Sequence, residues 1–525
     1  MRGRGQPQLK DPRRALVVAI LGSTMAFLDG TVVNVALPVM QRELRATSAQ
    51  MQWVVEAYAL FLAALVLVGG ALGDRYGRRR VFLVGVVAFA GASMACGFAP
   101  GVTPLVVARA VQGVGAALLV PGSLALISAA YPEKERGAAI GKWSSASAIT
   151  AAIGPVVGGF IVMHASWRWI FFLNAPVAAV VLALSAGVDE TRDDEAPHRL
   201  DLAGATLAIL GLGAIVYALL GSAAAGGLSR PAVLAPLIGG VLLLCAFVFV
   251  EARVAHPMLP LSLFGNRAFA VTNVLTFLLY AALGGALFFL PFELLQVQHY
   301  SPAKAGISLL PFIVLVSLMS PWAGGLAARR GPRLPLVLGP SLAAVGFALL
   351  AVPAIGGSYF TTFFPGIVVL GVGMGLTVAP LTMVVMTAVE TRHAGLASGV
   401  NNAVSRTAGL LAVAGLGVVL AARFDHALDR ALAAVPLSES ARAIVDAQRA
   451  RLAGADLSAL DPTLRAVTQR AFDEAFVTAF RTTTLVGAVL AALAALSALF
   501  LAKKGPRPLN DLAEAVPPKI HPMSR

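Results

Sequence analysis

The stretch "GALGDRYGRRRVFLVG", residues 70 to 85, places one aspartate and four arginines between two long apolar segments. Elsewhere charge is scarce: 58% of the 525 residues are hydrophobic and only 13% are charged, whereas soluble proteins carry about a quarter charged residues. Apolar runs of about 18 residues or more recur along the whole chain, and each can cross a bilayer core of about 30 Å as a helix. The sequence therefore predicts an all-α polytopic membrane protein in which 70–85 is a loop between two spans.

The apolar runs predict fourteen spans. The first run follows a basic tail, but it is too long for a signal peptide and contains Asp29, so we expect it to remain as a span. The spans are predicted at roughly 15–38, 51–73, 81–99, 104–130, 138–163, 168–188, 201–222, 232–252, 268–295, 304–328, 334–353, 361–388, 399–422 and 481–502.

Most basic residues flank these spans on one side of the membrane, as the positive-inside rule requires. The net charge of +14 is therefore assigned to membrane topology and not to nucleic-acid binding. The pattern predicts a multi-pass protein of a bacterial cytoplasmic (inner) membrane with both termini in the cytoplasm. The residues assigned to inner loops and the tail are Arg75, Arg78, Arg79, Arg80, Lys134, Arg136, Arg192, Arg199, Arg253, Arg267, Arg329, Arg330, Arg333, Arg392, Lys503 and Lys504.

An internal repeat divides the chain. "GALGDRYGRR" at 70–79 returns as "GGLAARRGPR" at 324–333, with Ala328 in the place of Asp74. Parallel repeats of this kind predict two halves with a transport pathway between them. The predicted division is an N-terminal six-helix half at 1–200, an inserted helix pair at 201–263, a C-terminal six-helix half at 264–502 and a cytoplasmic tail at 503–525. The C-terminal half includes an outer loop at 423–480, predicted to form a solvated amphipathic cap.

Three ionisable residues fall inside predicted spans: Asp29, Glu56 and Arg109. Intramembrane charges are costly, so they indicate function by default. Counted from the outer ends of their helices, they lie at depths of roughly 15, 8 and 8 Å, which predicts that both acids share one guanidinium. Arginine keeps its proton. For a buried carboxyl, desolvation raises the pKa and a nearby arginine lowers it, so small changes in its surroundings can bind or release a proton. Proton coupling and a permanently paired structural triad both fit, and for Glu56 exposure near the outer surface is a further alternative.

Two further charged residues are open to two interpretations each. Glu293 lies near the outer end of the ninth span, where exposure at the interface and a place in the cavity are equally consistent with the sequence. Arg406, on the thirteenth span, is predicted either to face the cavity or to extend its guanidinium to the interface.

Topology explains the arginines of 70–85 but not Asp74. The predicted thirteenth span begins near Gly399–Asn401 on the same side, and a helix N-terminus stabilises an anion by up to roughly 2 kcal/mol when partly buried. Asp74 is therefore predicted to latch the two halves together when the inner side is shut. A contact within its own turn is the alternative.

Four motifs in order resemble the major facilitator superfamily, specifically its fourteen-span drug:proton antiporter branch. The loop motif is complete, "LDGTVVNVALP" at 28–38 is similar to the first-span motif and contains Asn34, and "LVVARAVQGVGAA" at 105–117 is similar to the fourth-span motif. "GPVVGG" at 154–159 is similar to the antiporter motif of the fifth span, without the upstream glycine often found there. The residues concerned are Gly70, Leu72, Asp74, Arg75, Gly77, Arg78 and Arg79 in the loop, Arg109, Gln112, Gly113 and Gly115 in span four, and Gly154, Pro155, Gly158 and Gly159 in span five.

The resemblance implies the major facilitator fold and a proton-coupled antiporter that exports amphipathic, cationic or aromatic drugs by alternating access. It also implies the latch role of Asp74. The residues assigned to the proton-coupling and substrate cavity are Asp29, Glu56, Arg109, Asn34, Gln112, Glu293 and Arg406. The implied partners are small amphipathic substrates, protons and the bilayer, and a periplasmic adaptor is left undetermined. The alternatives are a dedicated exporter of one metabolite or lipid, a proton-coupled importer, or the membrane subunit of an ATP-driven pump.

Motifs for other chemistries are not found in the sequence. It has no G-x-x-x-x-G-K-[ST] phosphate loop and no Cys/His cluster spaced for a metal. Cys96 and Cys245 are predicted to be packing residues. We therefore expect a protein that is not an enzyme, holds no metal and needs no cofactor beyond the proton gradient.

Overall fold

The computed structural model describes residues 11–192, 201–222, 227–255, 257–389, 394–433 and 435–501. These residues are helical and confirm the all-α polytopic fold. The helices are α1 Pro12–Glu43, α2 Ser48–Tyr76, α3 Arg78–Phe98, α4 Val102–Ala130, α5 Glu133–His164, α6 Trp169–Phe172, α7 Asn174–Ser185, α8 Leu202–Gly221, α9 Pro231–Glu251, α10 Arg267–Phe292, α11 Pro302–Ser308, α12 Leu310–Arg330, α13 Arg333–Leu350, α14 Phe363–Thr387, α15 Ala394–Leu432, α16 Glu439–Gln448 and α17 Pro462–Ala498.

Thirteen helical segments within these ranges are long and apolar enough to cross a membrane. The one remaining predicted span, the sixth, at 168–188, is present as two consecutive short helices, α6 and α7, with a break at Leu173. Together they form a shorter apolar segment, Trp169–Ser185. The predicted number of spans is therefore roughly matched, and the sixth is interrupted.

Two ends of the helix bundle can be distinguished. At the first, which we call the loop end, α1 begins, α2 ends and residues 74–80 lie. At the opposite end, the cap end, α1 ends and α16 lies. The helices on either side of the predicted loop 423–480 extend further than expected, to Leu432 and from Pro462, so the segment between them narrows to 433–461. The predicted tail, 503–525, lies outside the described residues.

The turn at the repeated motif has the same backbone form in both copies. Gly77 follows the end of α2 with a φ of 110°, and Gly331 follows the end of α12 with a φ of 89°. Both values lie in the region that glycine adopts without steric cost. The next helix begins at once in each copy, at Arg78 and at Arg333. The backbone turn therefore recurs at the spacing of the sequence motif.

Helices within each half pack at backbone distance. In the N-terminal half α4 lies against α2 and α3, and α1 lies against α5; in the C-terminal half α14 lies against α12 and α13, and α10 lies against α15 and α17. A β-carbon on Gly69 of α2 would lie 1.9 Å from the carbonyl oxygen of Ala117 on α4, and one on Gly113 would lie 2.5 Å from that of Tyr58. Small residues permit this approach, as is common between membrane helices.

We expect Gly69→Ala to destabilise the protein by about 1–3 kcal/mol, because its methyl group would push α2 away from the backbone of α4. The matched control is Gly91→Ala on α3, where an added β-carbon meets nothing within 4 Å. Thermal unfolding of the two purified variants in one detergent measures the difference. Equal melting temperatures for both would show that α2 and α4 are not in this close contact.

Candidate functional site

A buried polar network joins α1 to α4. Arg109 donates from Nη1 to Asp29 Oδ2 and, at 2.8 Å, to Gln112 Oε1. Gln112 Nε2 in turn donates to Asp29 Oδ1 at 2.9 Å, and Arg109 Nε donates to the carbonyl oxygen of Val54 on α2 at 3.0 Å. All three side chains are at most 1% exposed. The charges and polar atoms of the network therefore satisfy one another away from solvent.

An aromatic shell that the sequence reasoning missed surrounds the guanidinium. Arg109 Cζ lies 4.4 Å from the centre of the Tyr58 ring and 5.9 Å from that of Phe171. Cys96 Sγ lies 3.7 Å from Gln112 Oε1. Rings placed over a desolvated cation stabilise it, so this shell holds the charge of Arg109 in place. The packing predicted for Cys96 is observed, whereas Cys245 is exposed on α9.

The network lies deeper than predicted. The cap end of α1 extends to Glu43, which puts Asp29 about 14 residues, or roughly 21 Å, from that end. Since α1 begins at Pro12, Asp29 is near the middle of its helix.

Glu56 does not join this network, and the predicted pair of acids on one guanidinium is wrong: no ion pair of the described residues joins it to Arg109. The predicted surface alternative is wrong as well, because Glu56 is 1% exposed and its Oε2 is buried without a hydrogen-bond partner. One turn earlier, Gln52 lies against Gly417 of α15. One turn later, Leu60 packs with residues of α8 and α15. Glu56 therefore occupies the junction of α2, α8 and α15.

Glu293 is buried and does not lie exposed at the interface. It begins a π-helical turn, Glu293–Val297, that follows α10, and it is 1% exposed. Its Oε1 accepts a hydrogen bond from Gln298 Nε2 at 2.9 Å, while its Oε2 is buried without a partner. Single-turn π-helices are frequent at functional sites.

Arg406 turns toward the bundle interior and not toward the interface. Its Nε donates to Asn402 Oδ1 at 2.8 Å, and its charge acts on the hydroxyls of Tyr58 and Tyr280, one from each half. None of the ion pairs of the described residues includes it. Arg406 therefore presents a cation between the halves.

Asn34 borders open space near the middle of α1. Its side chain is partly exposed and reaches only its own helix, the carbonyl oxygen of Gly30, at 3.5 Å. A β-carbon on Gly30 would meet nothing within 4 Å. In the C-terminal half, Asn401 Nδ2 donates to Asn273 Oδ1 and to Thr276 Oγ1, at 3.1 and 2.8 Å. The sequence reasoning missed this second polar group, whose signal was two adjacent asparagines within an apolar helix.

At the loop end, Asp74 makes the local contact. Arg78 donates to its Oδ1 from Nη2 at 2.8 Å and from Nε at 2.9 Å. Arg75 lies over the ring of Tyr76, with Cζ 4.8 Å from its centre. In this structure the turn contact is therefore present, and the predicted latch on α15 is not.

A carboxylate from the connection that follows α7, also missed at the sequence level, binds the same loop. Glu190, beyond α7, accepts hydrogen bonds from the backbone amides of Arg79 and Arg80, each at 3.0 Å. These amides are free because they begin α3, and an anion there is favoured by the helix dipole. A β-carbon on Gly77 would lie 2.7 Å from the Glu190 carboxyl, so this glycine leaves room for the cap.

The GPVVGG segment of α5 brings the two halves together. β-carbons on Gly154 and Gly158 would lie 2.0 Å from Thr31 Oγ1 and 2.7 Å from Val32 Cγ2 of α1, and one on Gly159 would lie 2.3 Å from the carbonyl oxygen of Pro302. The carbonyl oxygen of Pro155 meets Gly306 of α11 in the same way. The two halves are therefore in close backbone contact along this segment.

Hydrogen bonds between the halves lie at the cap end. Gln296 Nε2 donates to Gln41 Oε1 at 2.8 Å, Gln41 Nε2 donates to the carbonyl oxygen of Arg451 at 3.1 Å, and Arg451 donates to that of Arg45 at 3.3 Å. Within the described ranges, no hydrogen bond joins the two halves at the loop end. The structure is therefore tied shut at the cap end.

No group of three or more His, Cys, Asp or Glu residues within the described part of the chain is arranged to hold a metal ion. The candidate site consists of buried charged and polar side chains, together with a seam between two halves.

Several known proteins are similar to this chain over most of its length. The multidrug resistance protein Stp of Mycobacterium tuberculosis is 37% identical over 416 residues, which cover 79% of this chain and 77% of that protein. The puromycin resistance protein pur8 of Streptomyces alboniger is 38% identical over 78% of this chain and 82% of its own. A bacterial homologue of the human lysosomal transporter Spinster, solved in an inward-facing occupied conformation, superimposes with a TM-score of 0.66 at 17% identity, over 94% of this chain and 98% of that one.

The sequence profile of the Major Facilitator Superfamily matches residues 19–413. The match includes the loop motif, the Asp29–Arg109–Gln112 network and the GPVVGG helix, and the repeated turn agrees with the two-half fold. This multi-pass membrane protein belongs to the Major Facilitator Superfamily of transporters.

Proposed function

We propose that this protein is a proton-driven antiporter that exports amphipathic, cationic or aromatic compounds through a bacterial cytoplasmic membrane. The observation that carries the proposal is the fully buried Asp29–Arg109–Gln112 network, whose acid lies near the middle of α1. Support for drug export comes from the relatives, which are named for multidrug and puromycin resistance. Support for the orientation comes from the basic loop 74–80, which the positive-inside rule assigns to the cytoplasm together with both termini.

The network is suited to load and release one proton. Arginine stays protonated, so Asp29 is the member of the network to which the proposal assigns the transported proton. A proton on Asp29 removes its attraction for Arg109, and the guanidinium then keeps only Val54, Gln112 and the Tyr58 ring as partners. In the proposed cycle, water from the cap side delivers the proton when that side opens, and the return of Arg109 expels it when the loop side opens.

Alternating access then requires the cap end to open and the loop end to close. Three hydrogen bonds hold the cap end, and none of them joins opposite charges. Breaking them therefore costs little free energy. At the loop end, Asp74 exchanges Arg78 for the N-terminus of α15 when that side shuts, which is the latch role proposed for it. The proton gradient is the only energy source, and no cofactor takes part.

Transport into everted membrane vesicles under an imposed pH gradient, without ATP, tests the proposal. Uptake of an amphipathic dye that depends on the gradient supports it. Uptake only in the presence of ATP would assign the chain to an ATP-driven pump. Movement of the dye in the direction of an importer would reverse the proposed orientation of the cycle, and transport of a single metabolite or lipid alone would favour a dedicated exporter.

Asp29→Asn is expected to reduce gradient-driven transport to the level of vesicles that lack the protein, since an amide cannot carry the proton. Proton release upon substrate addition to the purified variant, monitored with a pH dye, checks this. Asp456→Asn, at an exposed position in the cap, is the matched control. Asp29→Asn also leaves Arg109 buried without its anion, which destabilises the protein. Asp29→Glu, which keeps the anion, is therefore measured as a second variant and should retain coupling. Normal exchange by Asp29→Asn would exclude Asp29 as the coupling acid.

Asp74→Asn is expected to shift the resting population toward the form that is open at the loop end, without loss of substrate binding. The substitution removes an anion from a helix N-terminus, an effect worth about 1 kcal/mol, or roughly fivefold in population. Spin-label distances between the loop ends of α2 and α15 should lengthen. The control is Asp11→Asn, because Asp11 caps α1 at the same end. Unchanged distances in Asp74→Asn would rule out the latch.

Glu56→Gln is expected to weaken transport of a quaternary ammonium dye about tenfold, equivalent to about 1.4 kcal/mol, and to spare a neutral hydrophobic drug. A carboxyl without a partner at the junction of α2, α8 and α15 is free to attract a cation when this seam opens. Glu439→Gln, at the exposed start of α16, serves as the control. Equal losses for both compounds would place Glu56 in the proton machinery instead.

A further inference from the structure

Two carboxyl groups meet at the loop end of the inserted helix pair, far from the network of Asp29. Asp201 caps α8, where its Oδ1 accepts a hydrogen bond from the amide of Gly204 at 2.7 Å. Glu251 ends α9, and its Oε2 accepts one from the amide of Leu259 at 2.9 Å. Each acid therefore uses one oxygen to hold the backbone and keeps the other free.

The free oxygens face each other. A β-carbon built on Gly204 would lie 2.6 Å from Asp201 Oδ2 and also 2.6 Å from Glu251 Oε1, so one small space separates the two atoms. Both are buried without a hydrogen-bond donor, and the whole Glu251 side chain is only 2% exposed. Their distances to this one point place the two oxygens no more than about 5 Å apart. Gly204 is the residue that leaves space for this contact.

No positive charge compensates the pair among the described residues. No ion pair of these residues includes Asp201 or Glu251. Arg253, two residues after Glu251, lies over the ring of Phe249 with its Cζ 3.9 Å from the centre. Arg199 and His256 lie outside the described residues. Two buried carboxylates without a cation repel each other and lack donors, which is costly on both counts.

We propose that Asp201 and Glu251 form a proton-binding site, in which one shared proton bridges Asp201 Oδ2 and Glu251 Oε1. One proton supplies the donor that both free oxygens lack and removes one of the two charges. It is bound when the second carboxylate is protonated from solvent and is released to solvent when the contact opens. The site needs no metal or other co-reactant.

The site joins three segments of the chain. Asp201 holds the start of α8, Glu251 holds the end of α9, and the amide of Leu259 belongs to the connector that leads into α10. The shared proton therefore fastens the inserted pair to the C-terminal half at the loop end. Loss of the proton leaves two facing anions and loosens this attachment. With the orientation proposed above, the site responds to cytoplasmic pH.

The sign of the pH effect follows from proton linkage. The folded protein keeps a proton that the free carboxyls of the unfolded chain have lost, so stability falls as pH rises. One such proton changes the unfolding equilibrium by up to tenfold per pH unit. Purified protein in detergent, melted at one scan rate in a series from mildly acidic to mildly alkaline buffers, should show this decline.

Single amide variants separate the shared proton from other causes. In Glu251→Gln the amide donates permanently to Asp201, and in Asp201→Asn it donates to Glu251, so each is expected to lose this part of the pH dependence and to melt in alkaline buffer above the wild type. Each should also lose one protonated-carboxyl band from the infrared difference spectrum. Asp461→Asn, which alters a cap of α17 where Asp461 accepts from the amide of Thr463 at 3.0 Å, should keep the wild-type dependence and band.

Two results would overturn the proposal. The first is a pH dependence and an infrared band that are unchanged in both amide variants, which would show that no proton is bound there. The second is stabilisation of the wild type in alkaline buffer by sodium, potassium, magnesium or calcium chloride that is absent in Glu251→Gln, which would make the pair a cation site. Neither readout involves transport, so failure of the proposed antiport leaves the test intact.

Discussion

The ion pair between Asp29 and Arg109 is the interaction on which the N-terminal half depends. It links α1 to α4, and the hydrogen bond from Arg109 to the carbonyl oxygen of Val54 extends the link to α2. Two charges in an apolar interior are tolerable only while each compensates the other, and removal of one typically costs 3–5 kcal/mol. Loss of this contact would cost much free energy, so it holds α1, α2 and α4 in one relative position. We therefore treat the N-terminal half as a rigid body.

The seam between the halves is built differently. At α5 the backbones meet through Gly159, Pro155 and Gly306, with no side chain between them. At the cap end the bonds are between neutral amides and carbonyl oxygens or from the exposed Arg451, and bonds of this kind are replaced by water at little net cost. A close but weakly bonded seam between rigid bodies can open without disturbing either core. This contrast in bond strength is what a rocking transporter requires.

The sequence predicted helix positions well and helix rotation poorly. Hydropathy located α2 and α4, and counting residues from the helix ends placed Glu56 and Arg109 at similar heights. The count does not give the direction in which a side chain points about the helix axis. For Glu56, the packing of α2 with α8 and α15 decides that direction. The predicted outer loop shows a second limit. Phe424 and Phe472, whose ring centres lie 5.6 Å apart, continue the contact of α15 and α17 beyond the predicted spans 399–422 and 481–502. Charged residues are scattered through 423–480, so uniform apolar runs, which predicted the spans, did not indicate these apolar positions.

The buried acids of this chain fall into two kinds, and the difference bears on how a proton is moved. Asp29 has its cation in contact, so a proton reaches it only if Arg109 is displaced or its charge is shared elsewhere, as Gln112 and the Tyr58 ring allow. Glu56 has an oxygen without a partner at a seam between helices, so its environment changes only when that seam opens. Coupling in the proposed cycle therefore rests on access, because helix movement, and not the intrinsic acidity of either carboxyl, determines which side of the membrane each acid meets.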